Sequence, residues 1–150
     1  MRVVIQRVKS ASVTVESRQI SSINHGLLIL VGVEHDDLPD DVNWLAEKIS
    51  SMRIFSDVDG KMNLDIVQSG GDVLVVSQFT LHASTKKGNR PSFIRSARPD
   101  HAIPIYKSFC SKLEELLKKE VQTGSFGAMM DVALINDGPV TILMDSKSRE

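Results

Sequence analysis

Six consecutive residues, Asn136-Asp137-Gly138-Pro139-Val140-Thr141, constrain this chain most, because they set a Gly-Pro step between two runs that read as buried strand. Val132-Ala133-Leu134-Ile135 precedes the step and Val140-Thr141-Ile142-Leu143-Met144 follows it. Asn, Asp, Gly and Pro in succession form turns, and a proline lacks the N–H that a sheet ladder would use. The chain is therefore expected to leave the sheet sharply here, either as a plain hairpin corner or as a rigid tip that presents its backbone carbonyls. A second oddity lies far upstream. In Ser77-Gln78-Phe79-Thr80-Leu81, polar side chains close an otherwise apolar strand.

The rest of the pattern describes one α/β domain over residues 1–150, a largely antiparallel or barrel-like sheet with two covering helices. Met1 to Lys9 and Ser10 to Glu16 carry β-branched and alternating residues, and Leu27 to Val33 is a nearly unbroken apolar strand. Asp36-Asp37-Leu38-Pro39-Asp40 supplies start signals for a helix to about Met52, with Val42, Leu45, Ala46 and Ile49 at helical spacing. Asp57-Val58-Asp59-Gly60 and Gly70-Gly71 read as turns, the second leading into a central strand over Asp72 to Leu81. Pro99 and Asp100 open a second helix with Ala102, Tyr106, Phe109, Leu113, Leu116 and Leu117 on one face. Two strands, about Ala128 to Ile135 and Val140 to Asp145, close the domain around the Gly-Pro tip.

A chain of this length buries a core without disulfides or a metal, and no apolar run approaches the roughly 18 residues that span a bilayer. The start resembles a signal peptide only in its early Arg2: the apolar stretch is short, is interrupted by Gln6 and Arg7 and lacks a small-residue cleavage site, so the cytoplasm is the expected compartment. The single cysteine, Cys110, falls on the second helix and reads as packing. Net charge is −1, but its distribution is uneven: no acidic residue lies between Val73 and Pro99, where Lys86, Lys87, Arg90, Arg95 and Arg98 cluster. A long loop over His82 to Arg98 with this composition either contacts phosphates or is a solvated surface.

Metal chemistry is poorly supported, because His25, His35, His82 and His101 are scattered and none stands at ligand spacing from another His, Cys or carboxylate. No metal or cofactor is expected. Phosphate-loop and dinucleotide signatures are absent. Ser77 lies in a strand rather than at a Gly-x-Ser-x-Gly elbow, so a serine hydrolase triad has no motif to rest on. The hydroxyls and amide of Ser77, Gln78 and Thr80 either satisfy nearby backbone groups or present donors to a bound carbonyl or ribose.

Ser77-Gln78-Phe79-Thr80-Leu81 and Asn136 to Thr141, taken with Arg90-Pro91-Ser92-Phe93, Asp59-Gly60-Lys61-Met62-Asn63-Leu64, Gln6-Arg7-Val8 and Ala11-Ser12-Val13, resemble the D-aminoacyl-tRNA deacylases from the first residue to about Asp145. The resemblance implies a homodimeric enzyme, not bound to membranes, that hydrolyses the ester of a D-amino acid, or of glycine mischarged on tRNA-Ala, at the terminal adenosine of tRNA. It implies proofreading in translation, with a cis Gly138-Pro139 step reaching into the other subunit's site to reject L-residues. Arg7 and Asn136 would support that filter, Ser77, Gln78, Phe79 and Thr80 would line the ester, and Phe126 and Met130 would hold the adenine. Lys86, Lys87, Arg90, Arg95 and Arg98 would meet tRNA phosphates. Catalysis would draw on the substrate's 2′-hydroxyl, with N–H groups near Phe79 and Thr80 stabilising the carbonyl oxygen; a Thr80 nucleophile, lacking a neighbouring base, would be poorly activated. His82 and Asn89 depart from the commonest family pattern. The contrasting readings are a non-enzymatic tRNA-binding protein and a small-molecule hydrolase using Ser77 or Thr80.

Overall fold

A computed structural model describes residues 1–149. Strand β1 (Arg2–Val15) runs without interruption where two strands were expected. It turns at Glu16 and Ser17, both at positive φ, into β2 (Arg18–Ile23), a strand the sequence reading did not place. The turn lacks the Asn-Gly or Asp-Gly pair that flags such hairpins, so no local signal announced it. β3 (Gly26–Gly32) follows β2 along the same edge of β1. Helix α1 (Pro39–Ser51), the small hairpin β4 (Phe55–Ser56) and β5 (Met62–Leu64), and then β6 (Asp72–Ser77) come next. β6 ends four residues earlier than expected, and the chain enters a 3-10 turn over Phe79–His82. Helix α2 (Pro99–Leu117), the short β7 (Gln122–Thr123) and the long β8 (Asp131–Asp145) complete the chain.

The main sheet has the order β2-β1-β3-β6-β7, with β8 on the opposite edge of β1. β1 pairs antiparallel with β2, β3 and β8, whereas β3–β6 and β6–β7 are parallel, so the sheet is mixed and curls toward a barrel. Each parallel pair is joined through a helix, the crossover that a parallel connection requires. β3 and β6 are buried on both faces: Leu27, Ile29, Val31, Val73 and Val75 join the larger core under the helices, and Leu28, Leu74 and Val76 join a second cluster on the other face. This explains why both strands read as continuous apolar runs rather than alternating ones.

The closing strands are one element. Gln6 pairs with Thr141 and Val8 with Asn136, so four residues, Asp137 to Val140, stand opposite Arg7 alone. The Gly-Pro step is therefore an outward bulge within β8, with β1 as ladder partner on both sides, and the plain hairpin corner is excluded. Among the described residues, no helix is long and apolar enough to cross a membrane.

The C-terminal segment clamps the start of α1. Met1 ammonium pairs with the buried Asp37 and donates to Ser146 Oγ at 2.7 Å, Lys147 Nζ lies 2.8 Å from Asp41 Oδ2, and Arg149 sits over the Trp44 ring at 4.8 Å. Burial alone would raise the Asp41 carboxyl, but Lys147 and the Leu38 N–H overcome it and hold the pKa at about 2, against an ordinary 3.8. A carboxyl more acidic in the folded than in the unfolded chain stabilises fully above its unfolded pKa and loses that effect as pH falls. Stability is thus expected to drop by about 2 kcal/mol between roughly pH 4 and pH 2 in the wild type. In Asp41→Asn this part of the acid sensitivity should vanish, as read by denaturant unfolding at a series of pH values.

Candidate active site

The carboxyl ends of the parallel strands β3 and β6 open onto a cavity of about 520 Å³. Ser77, Gln78 and Phe79 line it at the end of β6, with Ser96 and Ala97 from the loop before α2, Ala102 and Tyr106 from α2, and Phe126 and Met130 from the segment between β7 and β8. Of the expected ester and adenine residues, Ser77, Gln78, Phe79, Phe126 and Met130 share this cavity, whereas Thr80 is exposed and does not line it. Thr80 instead receives a hydrogen bond at Oγ1 from the Gln78 side-chain amide.

The turn geometry follows from where the ladder stops. Gln78 N–H donates to Val31 carbonyl at 2.7 Å, and the 3-10 turn then begins with Leu81 N–H donating to Gln78 carbonyl. The first N–H groups of such a turn have no partner within it. Those of Phe79 and Thr80 make no hydrogen bond among the described residues. Two adjacent free N–H groups at a cavity mouth can receive an oxygen on which negative charge develops.

No side chain lining the cavity carries an acid or base suited to proton transfer near neutral pH. Tyr106 is the only ionisable one; burial raises its phenol well above the ordinary range, and its hydroxyl is spent on Val75 carbonyl at 2.9 Å. Cys110, one helical turn further along α2, is buried, with its thiol pushed up to about 12 by burial foremost.

Behind the turn lies a buried polar group that the sequence reading did not assemble. His82 is 1% exposed and its ring fits against Gly32, where a Cβ would come within 2.9 Å of His82 Cδ2 and 3.0 Å of Gln78 carbonyl. Burial foremost lowers the imidazole pKa, and neither ring nitrogen has a hydrogen-bond partner among the described residues. Glu34, itself buried, places Oε1 3.5 Å from His82 Nδ1 and 2.5 Å from Arg95 Nη2. Arg2 donates to Leu81 carbonyl at 2.8 Å and pairs with Asp145, and Ser96 Oγ donates to Phe79 carbonyl at 2.9 Å. These contacts hold the turn in place. Glu34, Arg2 and Ser96 lie far from Phe79 in sequence and sit in no motif, so only the fold could reveal them.

The Gly138-Pro139 peptide is cis and both residues are exposed. Arg7, 7% exposed, reaches under the tip: Nε donates to Asp137 carbonyl at 3.2 Å and pairs with Asp137 Oδ2 at 3.1 Å, while Nη1 donates to Ile54 carbonyl at 2.5 Å. Asn136 Oδ1, at the base of the tip, is buried with no partner. Tip and cavity lie apart within one chain. Arg7 stands level with Leu27 and Val73, whereas Ser77 is four residues further along β6 and two strands away, which puts Arg7 and Ser77 roughly 16 Å apart along the sheet.

The loop over residues 82–98 is an ordered hairpin closed by two 2.8 Å hydrogen bonds between Ser84 and Ser92. Lys86, Lys87 and Arg90 are exposed at its tip and make no ion pair among the described residues; Arg98 is exposed at the start of α2. Arg95 differs from the other four, being bound to Glu34.

The fold is the one seen in a solved structure titled as a probable eukaryotic D-amino acid tRNA deacylase, which superposes with a TM-score of 0.81 over 95% of this chain and 97% of that one at 16% identity, a likeness of fold alone. The c-Myc DNA Unwinding Element Binding Protein superposes with a TM-score of 0.92, 37% identical over 97% of this chain and 98% of its own. The profile of the D-Tyr-tRNA(Tyr) deacylase family matches residues 4–145, and the chain belongs to that family. It is 60% identical over the full length of both chains to the D-aminoacyl-tRNA deacylase of Akkermansia muciniphila and 57% identical, again over both full lengths, to that of Bacteroides thetaiotaomicron.

Gly138 has φ +117°, where an L side chain is strained, and an added Cβ would lie 2.5 Å from Arg7 Nη2. Gly138→Ala should therefore push the guanidinium from its carbonyl partners and lower stability by about 1–3 kcal/mol, seen as an earlier denaturant midpoint. The same substitution at Gly60, where a Cβ meets nothing within 4 Å but φ is +77°, isolates the backbone part of that cost.

Proposed function

We propose that this chain hydrolyses the ester linking a D-amino acid, or glycine mischarged on tRNA-Ala, to the terminal adenosine of tRNA, as a cytoplasmic homodimer that proofreads chirality. The observation that carries the mechanism is the cavity without a suitable acid or base, opening beside the free N–H groups of Phe79 and Thr80. Its volume falls in the usual range of ligand pockets, about 300–1,000 Å³. The adenine enters between Phe126 and Met130, and the ester carbonyl lies against the segment Ser77 to Thr80.

Water adds to that carbonyl, its oxygen forming the new bond to carbon as charge moves onto the carbonyl oxygen facing the two N–H groups. The ribose 2′-hydroxyl beside the ester orients the water and relays its proton to the departing 3′-oxygen as the ester bond breaks. Ser77 and Gln78 position the ester. Thr80, exposed and lacking an adjacent base, serves through its backbone and its contact with Gln78.

Chirality is judged by the tip. Because Gly138 and Pro139 rise from β8, on the far side of β1 from the cavity of their own chain, they act on the cavity of a second copy. The outer surface of β8 has the apolar area for such a contact, with Leu134, Ile135 and Leu143 exposed. Arg7, supported by Asn136, holds the tip so that it does not yield. An L side chain is driven into its carbonyls, whereas the hydrogen of glycine or of a D-residue fits. A clash worth about 4 kcal/mol gives a thousandfold preference.

The direct assay follows release of amino acid from D-Tyr-, L-Tyr- and glycyl-tRNA with divalent metal chelated. D-Tyr and glycine should be released and L-Tyr spared, and replacing the terminal 2′-hydroxyl by hydrogen should slow release about 10²–10⁴-fold. Full activity on the 2′-deoxy ester would refute substrate assistance.

Lys86, Lys87, Arg90 and Arg98 contact phosphates of the acceptor end, with Arg95 contributing once its charge is shared with Glu34. Lys86→Ala with Lys87→Ala should weaken tRNA binding and reduce the slope of log affinity against log salt by about 0.7–0.9 per lost contact, with single-turnover hydrolysis of bound tRNA unchanged. Titrations at several salt concentrations measure this directly.

A further inference from the structure

Phe79, which lines the cavity, and Phe93 form an edge-to-face pair with ring centroids 5.1 Å apart, in which Phe79 is exposed and Phe93 half-buried. Phe79 is 56% exposed, and the neighbouring Ile94 is 84% exposed. Neither phenyl ring nor Ile94 belongs to the core clusters of the domain. The position of the pair is informative. On one side lies the cavity, which Phe79 lines; on the other rises the hairpin whose Ser84–Ser92 rung immediately precedes Phe93 and whose tip carries Lys86, Lys87 and Arg90. The pair is fixed from beneath, since Ser96 Oγ holds Phe79 carbonyl and Arg95 is anchored on Glu34.

We propose that the Phe79–Phe93 pair is the stacking platform for the nucleobase immediately 5′ of the terminal adenosine. The inference rests on the function proposed above and adds a second nucleotide subsite to it. A strand whose last nucleotide occupies the cavity and whose phosphates meet the basic hairpin tip crosses the ground between them, and that ground is the aromatic pair. Exposed aromatic rings flanked by unpaired cations form the recurring platform for single-stranded RNA, because any base offers a π-face and every linkage a negative charge. The charge fits: from Val73 to Pro99 there is no acidic residue. Glu34, the carboxylate that Arg95 binds, is itself buried. The subsite contributes affinity and register without reading a particular base.

The test compares D-tyrosyl esters of adenosine alone, of the dinucleotide cytidylyl-adenosine and of full tRNA, in the wild type, Phe93→Ala, Phe93→Leu and Phe93→Trp. The wild type is expected to have a kcat/KM about tenfold or more higher on the dinucleotide ester than on the adenosine ester. Phe93→Ala and Phe93→Leu should lose that gain while cleaving the adenosine ester at the wild-type rate, which also shows that they are folded. Phe93→Leu keeps an apolar side chain without the π-face, and Phe93→Trp should restore the gain. The salt slope of tRNA binding should stay at its wild-type value, in contrast to the lysine variants. Equal wild-type rates on the two small esters would overturn the platform. So would an equal loss on both esters in the leucine variant, which would assign Phe93 to the reaction cavity or to a contact between copies. Failure of the wild type to cleave any of the esters would instead refute the deacylase reading itself.

Discussion

A buried guanidinium organises the part of this fold that departs most from regular structure. Arg7 sits mid-strand in β1, where its own side of the ladder offers one residue against four from β8, and it fills that mismatch by bonding to Asp137 and Ile54. The arrangement is self-consistent in a physical sense. The bulge frees Asp137 carbonyl from the ladder, and a planar group with several donors is suited to serving it and Ile54 carbonyl at once. Taking Arg7 away would orphan those carbonyls, whereas taking the bulge away would leave a buried charge without a partner. The tip and its brace therefore stand or fall together, and β1 is held on both edges along nearly all its length because it must carry them.

The opposite end of the sheet follows a different logic. Where β3 and β6 run parallel, their carboxyl ends diverge from the ladder, and the crossover through α2 roofs the space between them, the usual place for a cleft in such sheets. The buried His82 and Glu34 and the half-buried Arg2 then fix the 3-10 turn from behind, while Ser96, which also lines the cavity, holds Phe79 carbonyl. Polar chemistry is thus concentrated behind the turn while the cavity itself is mostly apolar. Such a site leaves preorganised backbone dipoles as its own electrostatic resource.

Much of this could be read from the amino-acid order, and the failures have definite causes. Both helices were legible to within a residue or two, because Pro39 and Pro99 mark their starts and the apolar faces repeat at helical spacing. β2 was missed because Glu16 and Ser17 adopt positive φ without the usual turn residues, and the last four residues of the expected β6 were lost because a 3-10 turn is set by what lies beneath it, here Gly32 and His82. The expected, largely antiparallel sheet is found, β1 pairing antiparallel with β2, β3 and β8; the parallel pairs β3–β6 and β6–β7 went unread because parallel pairing is a property of connections rather than of strand composition. The five residues Ser77, Gln78, Phe79, Phe126 and Met130 do meet around one cavity, but Thr80 turns away from it and Arg95 is tied to Glu34. Those two differences depend on side-chain direction and on a distant partner, neither of which a motif records.

Cys110 shows what placement in the core does to a reactive group. Burial holds its pKa up at about 12, so at neutral pH it stays a thiol, and thiolate is the form that attacks peroxides and disulfides. The chain's single thiol is thus withdrawn from the redox chemistry of its surroundings, although it stands only one turn of helix from Tyr106 in the cavity wall.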